Sequence, residues 1–382
     1  MRAARIIIVG AGIGGLAAAL ALQRRGFKVG VYERASEIRE IGAGLIIAPN
    51  ARRALRDLGL DAALEAISSC VPLQNTCDYA TGAVKSTTST ALIVAKHGYG
   101  SLQVHRADLH RLLMQAVLAN DAGSLHPGHV FAGLVQDAKG VTVTFTNGAS
   151  DRGDAVIGAD GNASAVRSLL FPGEATTFNG QIAFRALLPA ELVPPSIRKL
   201  ELGMYQAPKR YLLHYPLRGG RIMNVIGVGQ AAQWEAEGWA ITAENDEFAD
   251  AYADFSPEIV AMIRNIPPGE LFKWGLRDRE PLATWTQGRV TMLGDAAHPM
   301  TPFLGQGACI AIEDGLVLAR AFAASETIVE ALLRYENARK QRGTNVQLWS
   351  RDEGRTLQDE TRIRRTAFDR GLFDYDPATA PV

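Results

Sequence analysis

This sequence lacks an excess of either charge: 40 Lys and Arg stand against 40 Asp and Glu, a formal net charge of zero. A balanced chain has no basic footprint for nucleic acid or an anionic membrane surface. Cysteine is scarce. Cys70, Cys77 and Cys309 cannot make a fully paired disulfide framework and read as reduced thiols of a cytoplasmic protein. Long hydrophobic runs are missing, since none approaches the roughly 18 apolar residues of a membrane span. The N-terminus offers only Ile6 to Val9 before a glycine, too short for a secretory segment. Also missing is a His, Cys or acidic cluster at ligand spacing, so no metal is expected. What remains is 382 residues, 47% hydrophobic and 21% charged. Such a chain can bury a large core, and its length suits about two domains.

The chain opens on a strand–helix–strand pattern. Residues 5–9 (RIIIV) form a β-branched apolar run, as a buried parallel strand does. Helix formers follow over 14–25, Gly26 is placed as a stop, and residues 28–32 (KVGVY) give a second strand. Residues 101–119 carry a helical stripe through Leu109, Leu112, Leu113 and Val117. Residues 141–145, 155–160 and 290–294 read as strands, with a helix expected near 305–322. The stretch 175–275 differs. Residues 210–216 and 222–228 read as two strands joined by a turn over 217–221, which suggests a separate antiparallel sheet. Residues 327–369 are helical by composition. The expected fold is α/β: a nucleotide-binding domain over 1–70, 101–174 and 276–326, a substrate-binding sheet domain over 71–100 and 175–275, and a C-terminal helical segment over 327–382.

Three motifs carry chemistry. Gly10, Gly12 and Gly15 satisfy GxGxxG between a strand and a helix, and Glu33 ends the next strand. The glycines permit a tight turn, a close approach to pyrophosphate and close helix–strand packing. The acid can accept hydrogen bonds from a ribose. This is a Rossmann-type signature, and alone it does not separate FAD from NAD. The second motif, Gly158-Ala159-Asp160-Gly161, is an Asp-Gly turn leading into a helix, equally readable as a well-made loop. The third runs from Gly294-Asp295 through His298, Pro302, Gly305, Gln306 and Gly307 to Glu313 and Asp314. An Asp after a buried strand can hold a sugar-like hydroxyl, and a Gly-rich helix start offers N–H groups to a polar ring edge. His298 reads as packed in its loop rather than as catalytic.

Together these motifs resemble the FAD-dependent aromatic hydroxylases, the single-component flavoprotein monooxygenases. The order matches over nearly the whole chain: GAGIGG at 10–15, Glu33-Arg34, HRADLH at 105–110, GADG at 158–161 and GDAAHPMTPFLGQG at 294–307. Residues 213–220 (LHYPLRGG) look most like the salicylate and hydroxybenzoate hydroxylases. The resemblance implies a Rossmann-type FAD-binding domain with an inserted antiparallel substrate domain. It implies that Gly10, Gly12, Gly15, Glu33, Arg34 and Arg106 hold the ADP half of FAD, and that Asp295 holds the ribityl chain. Gly305, Gly307 and Ala308 would contact the isoalloxazine, with Gly42, Ala43 and Gly44 beside it. Asp160 belongs to the motif linked to both FAD and NAD(P)H. The implied reaction takes NADH or NADPH and O2 and hydroxylates a small phenol or hydroxylated heteroaromatic through a flavin C4a-hydroperoxide. A homodimer is common among such enzymes. The tail segment 372–376 also resembles the family's and is expected to pack on the body.

On the substrate side, side chains alternate along a strand. Tyr211, Leu213 and Tyr215 therefore share one face, and Arg210, Leu212 and His214 the other. Relatives carry a basic histidine at the place of Tyr211, so the base is open here. His214 suits proton transfer by its ordinary pKa, but the pleat opposes it. Tyr211 and Tyr215 form the favoured hydroxyl pair, with core packing as the other reading. Arg185 can meet a carboxylate bidentately or serve as an interdomain salt bridge, and Pro302 is placed at the substrate. Competing activities are a flavin halogenase, whose WxWxIP motif is missing, an FAD-dependent oxidoreductase without oxygen insertion, and a flavin-binding protein without catalysis.

Overall fold

The computed structural model describes residues 4–37, 43–173, 175–234, 241–357, 362 and 364–382. Its first body is a six-stranded sheet in the order Thr286–Gln287, Val290–Met292, Ala155–Gly158, Arg5–Val9, Lys28–Tyr32, Leu125–His126. All neighbours run parallel except the outermost pair, Thr286–Gln287 with Val290–Met292. Ile6, Ile7 and Ile8 are fully buried, because both faces are covered. Ile6 and Ile8 pack against the helices Ile13–Gln23 and Gly307–Ala323. Ile7 and Val9 face a three-stranded antiparallel sheet through Val143 and Phe145. The two helices touch closely at Gly315, where a Cβ would sit 2.6 Å from the Ala18 nitrogen.

The second body is an eight-stranded sheet in the order Ile241–Thr242, Leu271–Asp278, Thr177–Pro189, Ile222–Gln230, Arg210–Leu217, Leu202–Ala207, Leu73–Asp78, Val84–Ser89. It is antiparallel apart from one parallel pairing, Leu202–Ala207 with Leu73–Asp78. The helices Asn245–Ala251 and Pro257–Arg264 cover one face through Phe248 and Ile259, against Phe184, Leu212 and Val225. The other face turns toward Phe303, Leu357 and Ile46. The α/β class and the inserted antiparallel sheet are therefore as expected from the sequence.

Two expectations need correction. The stretch 101–119 is not helical throughout: Leu102–His105 is a strand, and the helix is Arg106–Asn120. Leu102, Gln103, Val104 and His105 are all buried between partner strands, which outweighs the helical stripe. The C-terminal helix is Ile328–Thr356 and does not reach 369. Beyond it the chain folds back on the body, with Arg364 bonded to Glu353 and Arg370 to Asp352. The tail then lies on the helices: Arg53 donates to the carbonyls of Phe373 and Tyr375, and Arg342 to that of Leu372.

Candidate active site

The Gly-rich loop is built as its glycines dictate. Gly10 has φ +108°, and a Cβ there would lie 2.9 Å from the Asp160 Cα. A Cβ on Gly15 would collide with the Gly10 carbonyl, so the third glycine serves helix–strand packing. A Cβ on Gly12 would meet nothing within 4 Å. Gly12 is also the N-cap of Ile13–Gln23, with no side-chain cap and no acid in the first turn. This open, positive helix end suits a pyrophosphate. Glu33 lies against the loop, its carboxylate accepting from Ala11 N at 2.9 Å and Ala35 N at 3.0 Å. Arg34 is exposed at the rim. Sequence reasoning missed His110, which is buried and bonds the Ala11 carbonyl at 2.7 Å, bracing the loop from behind. Its signal was its place in the quoted HRADLH segment, one turn past Arg106.

Asp160 has a structural task. Its carboxylate accepts from Ser164 Oγ at 2.5 Å, Ala165 N at 2.8 Å and Val166 N at 3.1 Å, capping the helix Ala165–Leu170. Burial raises its pKa against those bonds. These three bonds from its own turn support the well-made-loop reading of Asp160.

At the other end of the cleft Asp295 sits in a 3-10 turn, Gly294–Ala296. Asp295 is exposed, while Gly294, Ala296 and Ala297 on either side of it are buried. The surroundings push its pKa up, opposed by His298 and Arg106. Gly307 opens the helix Gly307–Ala323 next to it, and a Cβ there would be 3.8 Å from the Asp295 carboxylate. That helix start has no side-chain cap and no acid in its first turn, and Gly305 before it takes φ +63°. An accessible carboxylate beside an uncapped helix start fits a ribityl chain and an electron-rich ring edge, and the open space over Gly12 fits a pyrophosphate. The residues present thus fit FAD. Arg106 begins the helix Arg106–Asn120, its N–H bonded to the Ala43 carbonyl at 2.7 Å. Gly42 lies outside the described residues.

Buried charge supports this end. Arg339 pairs with Glu313 and Asp314, each at 2.7 Å, with all three side chains fully buried. His298 bonds Asp314 at 2.6 Å, which settles it as a packed loop histidine. Desolvation works to raise the Asp314 pKa, but His298 and Arg339 outweigh it and hold the group at about 2. Asn50 ties Glu313 to Gln306, the N-cap of the flavin-facing helix.

On the large sheet Tyr211 and Tyr215 share a face, as the pleat requires. The Tyr211 ring meets Phe303 edge-on at 6.2 Å, next to the exposed Pro302. Tyr215 is buried against Gly44, where a Cβ would come within 2.7 Å of its hydroxyl. Burial raises both phenol pKa values, with Arg185 pulling the other way, so both stay protonated near neutrality. A phenol that keeps its proton at neutral pH is not a base there but has an O–H to donate. Arg185 donates to the Gly44 carbonyl and, at 3.4 Å, to Asn224 Oδ1. It makes no salt bridge among the described residues, so the salt-bridge reading gives way. Asn224, which sequence reasoning also missed, stood out only as the lone polar residue in IMNVIGV.

His214 falls on the opposite face, fully buried, with its ring 5.8 Å from that of Tyr205. The catalytic reading of His214 is corrected by that burial, since helices and not the cleft lie on its side. Desolvation pushes its pKa down to about 4, with the Glu201 backbone opposing weakly. The folded state therefore resists protonation that the unfolded chain accepts below about pH 6.5. Stability is expected to fall by about 3 kcal/mol between about pH 6.5 and 4, a loss absent from His214→Gln. Urea titrations of both proteins at several pH values check this, and equal slopes would refute it.

A model of the FAD binding domain family matches residues 3–350. The chain is 35% identical to 3-hydroxybenzoate 6-hydroxylase of Polaromonas naphthalenivorans over 92% of its length and 87% of that protein. It is 32% identical to 6-hydroxynicotinate 3-monooxygenase of Bordetella bronchiseptica, covering 99% and 97%. Among solved structures, Klebsiella pneumoniae HpxO complexed with FAD and uric acid superposes with TM-score 0.84 at 27% identity, covering 98% and 93%. A salicylate hydroxylase substrate complex at 23% identity shares the fold, with TM-score 0.81. The fold and the family match define a flavoprotein oxidoreductase. The chain belongs to the family of FAD-dependent aromatic hydroxylases, with FAD as its cofactor. Among the described residues no helix is long and apolar enough to cross a membrane, and no group of His, Cys, Asp and Glu is placed to hold a metal.

Proposed function

We propose that this chain hydroxylates a small phenolic or hydroxylated heteroaromatic acid, using NADH or NADPH and O2. The observation that carries this reading is Arg185, a half-buried cation with no carboxylate partner among the described residues, beside Tyr215. A ring acid would supply the missing carboxylate. The names 3-hydroxybenzoate 6-hydroxylase and 6-hydroxynicotinate 3-monooxygenase describe ring acids bearing a hydroxyl, which supports the same class. The reading includes the domain division stated above, a cytoplasmic location and a homodimer.

FAD, when bound, accepts hydride from the nicotinamide and activates oxygen. Gly10, Gly12, Gly15, Glu33 and Arg106 would hold its ADP half, with Arg34 at the rim, and Asp295, Gly305, Gly307 and Ala308 its flavin half. Arg185 fixes the substrate carboxylate. Tyr215, and Tyr211 with it, donate hydrogen bonds to the substrate oxygen, which stabilises its phenolate and leaves the ring electron-rich. Phe303 and Pro302 close the apolar side and limit water.

The test is oxidation of NADH and NADPH by the yellow protein, with oxygen uptake and peroxide recorded together, over hydroxybenzoates, salicylate and hydroxynicotinates. A ring acid should accelerate oxidation with little peroxide. Acceleration by none of them, or only with stoichiometric peroxide, overturns the reading. Tyr215→Phe should keep its FAD while hydroxylation slows roughly tenfold or more and peroxide rises, as for a lost hydrogen bond to a charged oxygen. Unchanged coupling would leave Tyr215 as packing.

A further inference from the structure

Three strands place a cluster on one face of the large sheet. Arg185 lies opposite Ile226, and Asn224 lies opposite Tyr215, so the four side chains project together toward Gly44. Asn224 is fully buried. Its Oδ1 accepts from Gly44 N at 2.9 Å and from Arg185 Nε at 3.4 Å, while its Nδ2 has no partner. Gly44 is hemmed in by the same residues: a Cβ there would lie 2.8 Å from the Asn224 amide carbon.

The side-chain partner of Arg185 is thus an amide where a carboxylate of the same shape would fit. An aspartate would neutralise the guanidinium within the protein. An asparagine bonds it, shares the contact with Gly44, and leaves its charge without an anionic partner among the described residues. Arg106 adds a second positive charge nearby, which with burial lowers the Arg185 pKa. An uncompensated cation in such a place is stabilised by whatever anion enters.

We propose that Asn224 is the specificity-determining residue of this site: by holding Arg185 without neutralising it, Asn224 makes the pocket select anionic ring acids over their neutral analogues. The inference rests on the substrate site proposed above. Its test needs no turnover, so the two fail separately. The FAD-loaded protein is titrated with 3-hydroxybenzoate and with 3-hydroxybenzamide, and binding is read from the flavin absorbance. The wild type should prefer the acid. Asn224→Asp should weaken the acid by about ten- to hundredfold, as for a lost charge-assisted hydrogen bond, while the amide changes less than about threefold.

Melting temperature and flavin content are recorded for each variant. Should Asn224→Asp fail to fold, Arg185→Gln gives the second arm, and it should abolish the preference for the acid. Equal wild-type affinity for the two compounds, or affinity for neither, overturns the proposal. So does an Asn224→Asp protein that keeps the preference, or an Arg185→Gln protein that does. If Asn224→Asp instead loses FAD, the charge serves the cofactor and the proposal falls. Selective binding without any hydroxylation would leave this inference standing and remove the reaction proposed above.

Discussion

Replacing Asp295 with alanine is expected to give protein purified largely without FAD. The residue is exposed, lies beside the start of Gly307–Ala323, and accepts no side-chain or backbone hydrogen bond among the described residues. Desolvation raises its pKa against the pull of His298 and Arg106, so an unpartnered charge is held there at a cost. Hydroxyl donors from the cofactor would offset that cost. Hydrogen bonds to a charged group contribute roughly 1.5–3 kcal/mol, so losing them should weaken FAD about ten- to hundredfold. The ratio of flavin to protein absorbance after gel filtration measures it. Full flavin content in Asp295→Ala would remove the residue from the cofactor site.

The second large effect is on stability. Arg339→Met should destabilise the protein by about 3–5 kcal/mol, because it leaves Glu313 and Asp314 buried with fewer cations. Arg342 and Asn50 would still serve Glu313, and His298 and Gly294 N would still serve Asp314. The loss therefore belongs toward the lower end. Arg339 also lies 5.0 Å from the Tyr375 ring centroid, so part of the tail's anchorage goes with it. Urea denaturation of the FAD-loaded protein reads the change. A loss below about 1 kcal/mol would show that the remaining partners compensate for the missing cation.

How far the sequence spoke depended on how local the determining physics was. The strands 5–9 and 28–32 were legible to the residue, because an apolar run buried on both faces has no other use. The glycine loop was legible because each glycine answers a steric need in its own turn. The strand Leu102–His105 was not. Its burial comes from partners at 44–47 and 68–70, far along the chain. Asp160 was read through a motif, yet its bonds are spent on its own helix. The Asn50–Glu313–Arg339 network was invisible for another reason. Charges on a helix read as a solvated face until a second helix, here Ile328–Thr356, is laid over them.

The strand order bears on how the protein is made. Arg5–Val9 leaves the ribosome well before its neighbour Ala155–Gly158, which follows some 150 residues later. The helix Ile13–Gln23 must wait longer, for its packing partner is Gly307–Ala323. Such distant pairing makes folding slow, since loop closure precedes the contacts that reward it. The proposed cradle is likewise split between residues 10–15 and 295–308. A nascent chain halted between residues 15 and 295 holds half of that cradle, and loading must wait for the second half to be made.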